Sequence, residues 1–392
     1  MSKVILPEPD PELKQLSRAL CALIREECAQ NGFMPFSRFM EMALYQPGLG
    51  YYSAGLHKLG ASGDFVTSPE LGSLFAGCLA RQVEQIGKEL GNYEVLELGA
   101  GTGQMAADLL QQIDPEFAPQ NYWILERSAD LRALQEQKLA ALVPQWRDKV
   151  QWLDAPPHSE WQGVLLANEV IDALAVERFR VGKRGVEQAG VRPAKDDSPE
   201  SPRFDWCFRP APEGLVNAVR QLPLNADSPY QSEIQPDLPA WLDAVCGKLK
   251  RGVALFIDYG YPRHEYYSPE RQDGTLICHY RHRAHDNVFF WPGLQDITAF
   301  IDFTALAEAG EACGLELAGY TSQSLFLLAC GLDQLLALRR ESATDEGMSL
   351  SAEAKQLTLP GMMGERFQVM AFSRSLPMDL LGFRLRDLSY RL

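Results

Sequence analysis

The chain has 392 residues, 46% hydrophobic and 23% charged, an ordinary globular composition with room for two domains or for one domain carrying large insertions. Its 37 basic residues face 52 acidic ones, and a net charge of -15 repels nucleic acid and anionic membrane, so neither is expected as a partner. Eight cysteines without a C-x-x-C pair argue against a zinc cage or a disulfide framework and for a reducing compartment. No apolar run approaches the roughly 20 residues that span a bilayer. The N-terminal "MSKVILPEPDPELK" lacks an apolar or Arg-rich targeting pattern, so a cytoplasmic location is expected.

After a Pro-rich lead, Leu13, Leu16, Leu20, Leu23 and Ile24 recur at helical spacing over residues 11–31. The aromatic, turn-rich "ALYQPGLGYYSAG" follows. In "GDFVTSPEL", Gly63 permits a close approach, Asp64 offers an acceptor, and Thr67 or Ser68 can cap a helix starting near Pro69 and Glu70. From Tyr93, short apolar strands alternate with helices over Gln104–Gln112 and Ala129–Leu142, which predicts an α/β fold with helices on both faces of a parallel sheet. Residues 1–92 are taken as an N-terminal helical region and 93–392 as the core, interrupted by insertions at about 176–230 and 261–300. "VERFRVGKRGVEQAGV" reads as a hairpin, "DLPAWLDAVCGKL" and "DFTALAEAGEACG" as helices, and "GVALFIDYG" and "LELAGYTSQ" as core strands. A helix is expected near Phe326–Arg340, and "RFQVMAFSR" reads as a last, edge-compatible strand.

The segment "VLELGAGTGQ" is a buried strand running into Gly99, Gly101 and Gly103, a turn that lets backbone approach a ligand and then open a helix with unpaired amides. A phosphate-cradling loop needs Lys then Ser or Thr after its last glycine; Gln104 and Met105 stand there instead. The dinucleotide fingerprint wants a glycine where Gln104 stands, which weakens that reading without removing it. Glu97 places a carboxylate beside the glycines, repelling a pyrophosphate but suiting a ligand with an ammonium or sulfonium, as in S-adenosylmethionine. A ribose diol then needs an acid at the end of the next strand, where Glu126 closes "NYWILE". Asp154, after "KVQWL", stands at the third strand end, near where an adenine would lie.

The segments "YQPGLGYY", "GDFVTSPEL", "VLELGAGTG", "ANEVIDALAV", "IDYGY", "DGTLICHY" and "DITAFIDF", from about residue 45 to 303, together resemble the MidA-type family of class I S-adenosylmethionine-dependent methyltransferases. That family includes the mitochondrial complex I assembly factor that methylates a protein arginine. The resemblance implies a Rossmann-like class I methyltransferase sheet, S-adenosylmethionine as cofactor, and a partner protein presenting an arginine. It also implies that the Gly63–Ser68 loop covers the methionine end of the cofactor and that Glu233, in "YQSEIQP", is a family acid facing the substrate.

In "LLANEVIDALAV" the apolar run Val164–Ala167 makes a buried strand, so Asn168 and Glu169 emerge at its carboxyl end. If a helical turn begins there, Asp172 shares a face with Glu169. Paired carboxylates bind a planar guanidinium by bidentate hydrogen bonds and accept the proton its product loses. Val170 and Ile171 stand where the family commonly has aromatics, which alters the shape of the acceptor pocket but not its acids. Asp258, ending the strand in "IDYGYP", either orients substrate or caps a turn. His279, His282 and His285 lack metal-ligand spacing and, with Arg281 and Arg283, suggest a basic rim, so no metal is expected. Three alternatives stay open: an assembly factor that binds S-adenosylmethionine and acts by docking, a methyltransferase for a small molecule, and a dinucleotide oxidoreductase. A homo-oligomer is compatible with all of them.

Overall fold

The structure, a computed structural model, describes residues 6–54, 67–198, 202–224, 229–342 and 347–392. The chain divides into two compact units. One comprises Met1–Phe65, Ile171–Asp237 and Arg263–Phe300; the other comprises Val66–Val170, Leu238–Pro262 and Ile301–Leu392. Gly63 and Asp64 lie outside the described residues.

The second unit is built on strands of which the central ones are buried on both faces, as a sheet covered by helices requires. The strands are β1 (Glu94–Leu98), β2 (Asn121–Leu125), β3 (Val150–Leu153), β4 (Trp161–Asn168), β5 (Leu249–Tyr261), β6 (Glu316–Ser322) and β7 (Phe367–Arg374). Their order across the sheet is β6-β7-β5-β4-β1-β2-β3, with the short Ile301–Asp302 strand added beside β5. Pairings from β3 to β5 are parallel, and β7 alone runs antiparallel to its neighbours. The order reverses direction at β1, so the crevice beyond its carboxyl end is where such a sheet takes a ligand. This is the class I methyltransferase sheet.

Helices α1 (Leu74–Leu90), α2 (Gln104–Gln112), α3 (Ala129–Leu142), α4 (Leu238–Cys246) and α5 (Phe303–Ala312) cover the sheet. Phe256 of β5 packs between Trp241 of α4 and Phe372 of β7, at ring-centroid distances of 6.2 and 6.0 Å. Three expectations change. The helix expected from Pro69 begins at Leu74: Ser68–Glu70 is a separate 3₁₀ turn, and Thr67 at its start makes no side-chain cap bond. The helix near Phe326–Arg340 is two helices, Gln323–Ala329 and Leu332–Ser342, separated at Gly331, whose φ of 82° no helix contains. β7 is an interior strand between β6 and β5, consistent with its nearly unbroken buried run.

The first unit gathers the N-terminal helices Pro11–Asn31 and Phe36–Tyr45 with both insertions. The expected hairpin is Glu177–Gly182 and Gly185–Pro193, and it joins Met34–Pro35, Phe204–Pro210 and Tyr230–Ile234 in a five-stranded antiparallel sheet. Leu20, Ile24, Phe36, Phe39, Met40, Val191, Cys278 and Ile297 share one apolar core, so segments over 250 residues apart in the chain fold together. All eight cysteines are free thiols. Among the described residues no helix is long and apolar enough to cross a membrane.

Candidate functional site

The glycine turn leaves β1 with Gly99, Gly101 and Gly103 at φ of 60°, 54° and 81°, a left-handed run that L side chains rarely adopt. It is fixed at both ends. Gly99 N–H donates to the Leu125 carbonyl of β2 (3.0 Å), and the Gly103 carbonyl accepts from Ala107 N–H in α2 (3.1 Å). A Cβ on Gly103 would lie 3.3 Å from the Cα of Gln135, so the turn also presses against α3.

Glu97 is buried under this turn and accepts a hydrogen bond from the Tyr122 hydroxyl (2.7 Å). Burial pushes its carboxyl up to about 7, against the pull of the Tyr122 hydroxyl and with a further push from Glu126. Glu126, past β2, is also buried: one oxygen accepts from Ser128 N–H (2.9 Å) and the other from the Gln135 amide (3.1 Å). Burial raises its carboxyl despite these bonds. Ser128 is the N-cap of α3, its hydroxyl accepting from Leu131 N–H (3.4 Å). Asp154 sits past β3 with an exposed side chain, paired to Arg132 of α3 (2.8 Å).

Asn168 ends β4, and Glu169 follows at φ 52°. No helix starts there: Glu169 N–H donates to the Ile257 carbonyl (2.9 Å), and a turn closed by Leu174 N–H on the Ile171 carbonyl (3.1 Å) comes next. The helical face expected to stack Glu169 and Asp172 therefore does not form. Asp172 belongs to the first unit, where it is buried and its carbonyl accepts from Ala299 N–H (3.0 Å). The Asn168 amide donates to Glu169 Oε1 (3.2 Å), while Asn168 Oδ1 is buried and makes no hydrogen bond among the described residues. Asp258 of β5 lies one residue past Ile257, beside this exit, with its carboxylate accepting from Tyr259 N–H (2.9 Å). The carboxyl ends of β1, β2, β3, β4 and β5 thus each carry a residue singled out from the sequence.

Two other assignments have protein partners of their own. The Ser68 hydroxyl is buried and donates to Gln323 Oε1 (3.2 Å). Glu233 is fully buried in the first unit, where it accepts from Thr275 N–H (2.7 Å), pairs with Arg178 (3.6 Å), and crowds Gly274. These contacts join its strand to the second insertion. Replacing Arg178 with Met strands that carboxylate and is expected to cost roughly 3 kcal/mol in urea unfolding. The added substitution Glu233→Leu should recover part of the loss. Burial lowers His279 to about 4 and also lowers His285, so neither adds charge at pH 7, whereas Arg281 and Arg283 are exposed. Among the described residues no group of His, Cys, Asp or Glu is placed to hold a metal.

Sequence reading missed Tyr122 and Gln135. Tyr122 had a usable signal, since alternation along β2 puts it on the same side of the sheet as a neighbouring-strand residue. Gln135 had none, because its partners lie 9, 17 and 34 residues away.

The residues present fit S-adenosylmethionine: a left-handed glycine turn, a carboxylate beneath it for the cationic end, and a carboxylate past β2 for a diol. The family model described as "Putative S-adenosyl-L-methionine-dependent methyltransferase" matches residues 74–321. The chain is 25% identical to the mitochondrial protein arginine methyltransferase NDUFAF7 homolog of Drosophila melanogaster, over 93% of this chain and 87% of that protein. It is 27% identical to mitochondrial NDUFAF7 of Rattus norvegicus, over 87% and 81%. Among solved structures, a protein from Burkholderia thailandensis bound to S-adenosyl-homocysteine superposes with a TM-score of 0.92 at 41% identity, over 99% of this chain and 100% of that one. The chain therefore belongs to this family of S-adenosyl-L-methionine-dependent methyltransferases.

Proposed function

We propose that this methyltransferase acts on an arginine side chain of a partner protein. The observation that carries the reading is the carboxylate of Glu169, displayed at the exit of β4 by a left-handed backbone and held by the Asn168 amide. The named activity of the Drosophila and rat relatives supports the choice of acceptor. Bound S-adenosylmethionine supplies an activated methyl group on a sulfonium. Glu169 binds the acceptor guanidinium, aims one nitrogen, and takes up the proton released when the N–C bond forms and the C–S bond breaks. Rate comes chiefly from proximity and alignment, so no covalent intermediate on the protein is needed.

Tritiated methyl donor added with the protein to an untreated cell lysate tests this. Label on a protein band supports it; label only in small molecules contradicts it, and tight cofactor binding with no label favours a docking role.

Glu97 adds a pH dependence. Its ionised form favours a cationic ligand, so affinity for S-adenosylmethionine should rise as pH rises through about 7. Calorimetry at pH 6 and pH 8 checks this, and Glu97→Gln should flatten the difference. The ligand-free protein shows the opposite sign. A carboxyl raised from 4.5 contributes stability that is full below 4.5 and lost as pH climbs to about 7.

A further inference from the structure

We infer that Gln135 is a positioning residue for the cofactor's ribose, locking the Glu126 carboxylate and the glycine turn into one frame. Gln135 is fully buried on α3. Its amide nitrogen donates to the Gly101 carbonyl (2.8 Å) and to Glu126 Oε2 (3.1 Å), and its oxygen accepts from Trp152 Nε1 of β3 (2.9 Å). Both N–H groups and the carbonyl are therefore used, and the partners leave one orientation of the amide: only nitrogen can donate to a carbonyl and a carboxylate, and only oxygen can accept from an indole. One side chain ties together the turn after β1, the acid after β2 and strand β3.

An apolar residue would fill a helix–sheet contact without the desolvation a buried amide costs. All three side-chain bonds instead run to the ligand-side turns and their neighbouring strand. Glu126 is held by the Ser128 N–H on one oxygen, by the Gln135 amide on the other, and by a further backbone bond from Arg127. With the Gln135 amide in place the carboxylate plane is fixed. With the backbone donors alone, Oε2 loses its side-chain partner, and the carboxylate plane is less firmly set for a two-hydroxyl ligand.

The same helix repeats the device one turn to either side. Arg132 donates to the Glu126 and Leu153 carbonyls (3.2 Å each), and Lys138 donates to Thr102 Oγ1 (2.8 Å) and Gln104 Oε1 (3.0 Å). The three-residue steps place Arg132, Gln135 and Lys138 along one stripe of α3. Gln135 is its buried centre.

The inference rests on Glu126 accepting the ribose diol, and the test separates the two. Calorimetric Kd values are compared for S-adenosylhomocysteine and its 2′-deoxy analogue. The wild type should prefer the parent by about tenfold or more, as for a hydroxyl bonded to a carboxylate. Gln135→Met, of similar length but unable to donate, should reduce that ratio below about threefold. A merely structural residue would weaken both ligands alike and leave the ratio standing, which overturns the inference. Glu126→Gln should collapse the ratio too. If it does not, the diol assignment itself fails and the inference with it; if it does while Gln135→Met retains the ratio, only the role of Gln135 falls. Should Gln135→Met not fold, Gln135→Glu carries the same comparison. Its ratio should be low at pH 8 and recover toward pH 5.5 as the introduced carboxyl gains a proton to donate.

Discussion

Glu169→Gln is expected to bind S-adenosylmethionine with near-native affinity and to lose turnover by roughly 30- to 1000-fold, about 2 to 4 kcal/mol of transition-state stabilisation. The amide keeps the shape of the carboxylate but carries no charge and cannot take the proton. Glu169 stands in a left-handed conformation at φ 52°, which costs a non-glycine residue on the order of 1 kcal/mol or more. Local sequence does not demand that geometry. It is imposed by the bond from Glu169 N–H to Ile257 and by the end of β4. The neighbouring Asn168 oxygen, buried with no hydrogen bond among the described residues, adds a second acceptor at the same exit. A companion variant separates strain from chemistry: Glu169→Gly relieves the backbone, so it should melt at or above the wild-type temperature and yet be equally inactive. Initial rates of methyl incorporation, with calorimetry for S-adenosylhomocysteine, check both. Native turnover in Glu169→Gln removes this residue from the chemistry.

Gly163→Ala is expected to destabilise the protein by roughly 3 kcal/mol or more in urea unfolding. At the middle of the sheet, β1, β4 and β5 approach through a glycine ladder. Gly163 lies opposite Glu94 on one side and Gly252 on the other. A Cβ on Gly163 would fall 1.9 Å from the Glu94 carbonyl oxygen, and one on Gly252 would fall 1.9 Å from the Gly163 oxygen. Both atoms are backbone in the sheet, so relief requires parting the strands that deliver the glycine turn and Glu169. Gly163 and Gly252 also have φ of 155° and 150°, outside the ordinary range for a strand residue. Gly182→Ala, where a Cβ meets nothing within 4 Å, is the control and should change stability by less than about 0.5 kcal/mol. Equal stability of the two variants would mean that the sheet accommodates the methyl group.

The cofactor side of the site is legible in the sequence because it depends on local patterns. A buried strand, left-handed glycines and an acid past the next strand are each encoded within a few residues, and Glu97, Gly99, Gly101, Gly103 and Glu126 lie where those patterns put them. Misreadings occur where tertiary contacts override local preference. "NEVIDAL" has helical spacing between its acids, yet Glu169 is bent left-handed by its bond to Ile257. The helix expected from Pro69 and Glu70 starts later, because Gly72, at φ 157°, interrupts helical backbone before Leu74. For Glu233 the motif is legible but its surroundings are not, because its partner Arg178 lies 55 residues earlier in the chain. The joining of residues 6–54 with both insertions is equally unreadable in one dimension, because their shared core is made of side chains no local period relates.

The identity of the labelled acceptor is the most direct test. Protein methylated in the lysate with tritiated donor is hydrolysed to amino acids and the label followed by chromatography. Tritium in methylarginine, absent when Glu169→Gln replaces the wild type, is the expected result. Tritium in methyl-lysine, in base-labile methyl esters, or in no amino acid would contradict a carboxylate-held guanidinium as the acceptor.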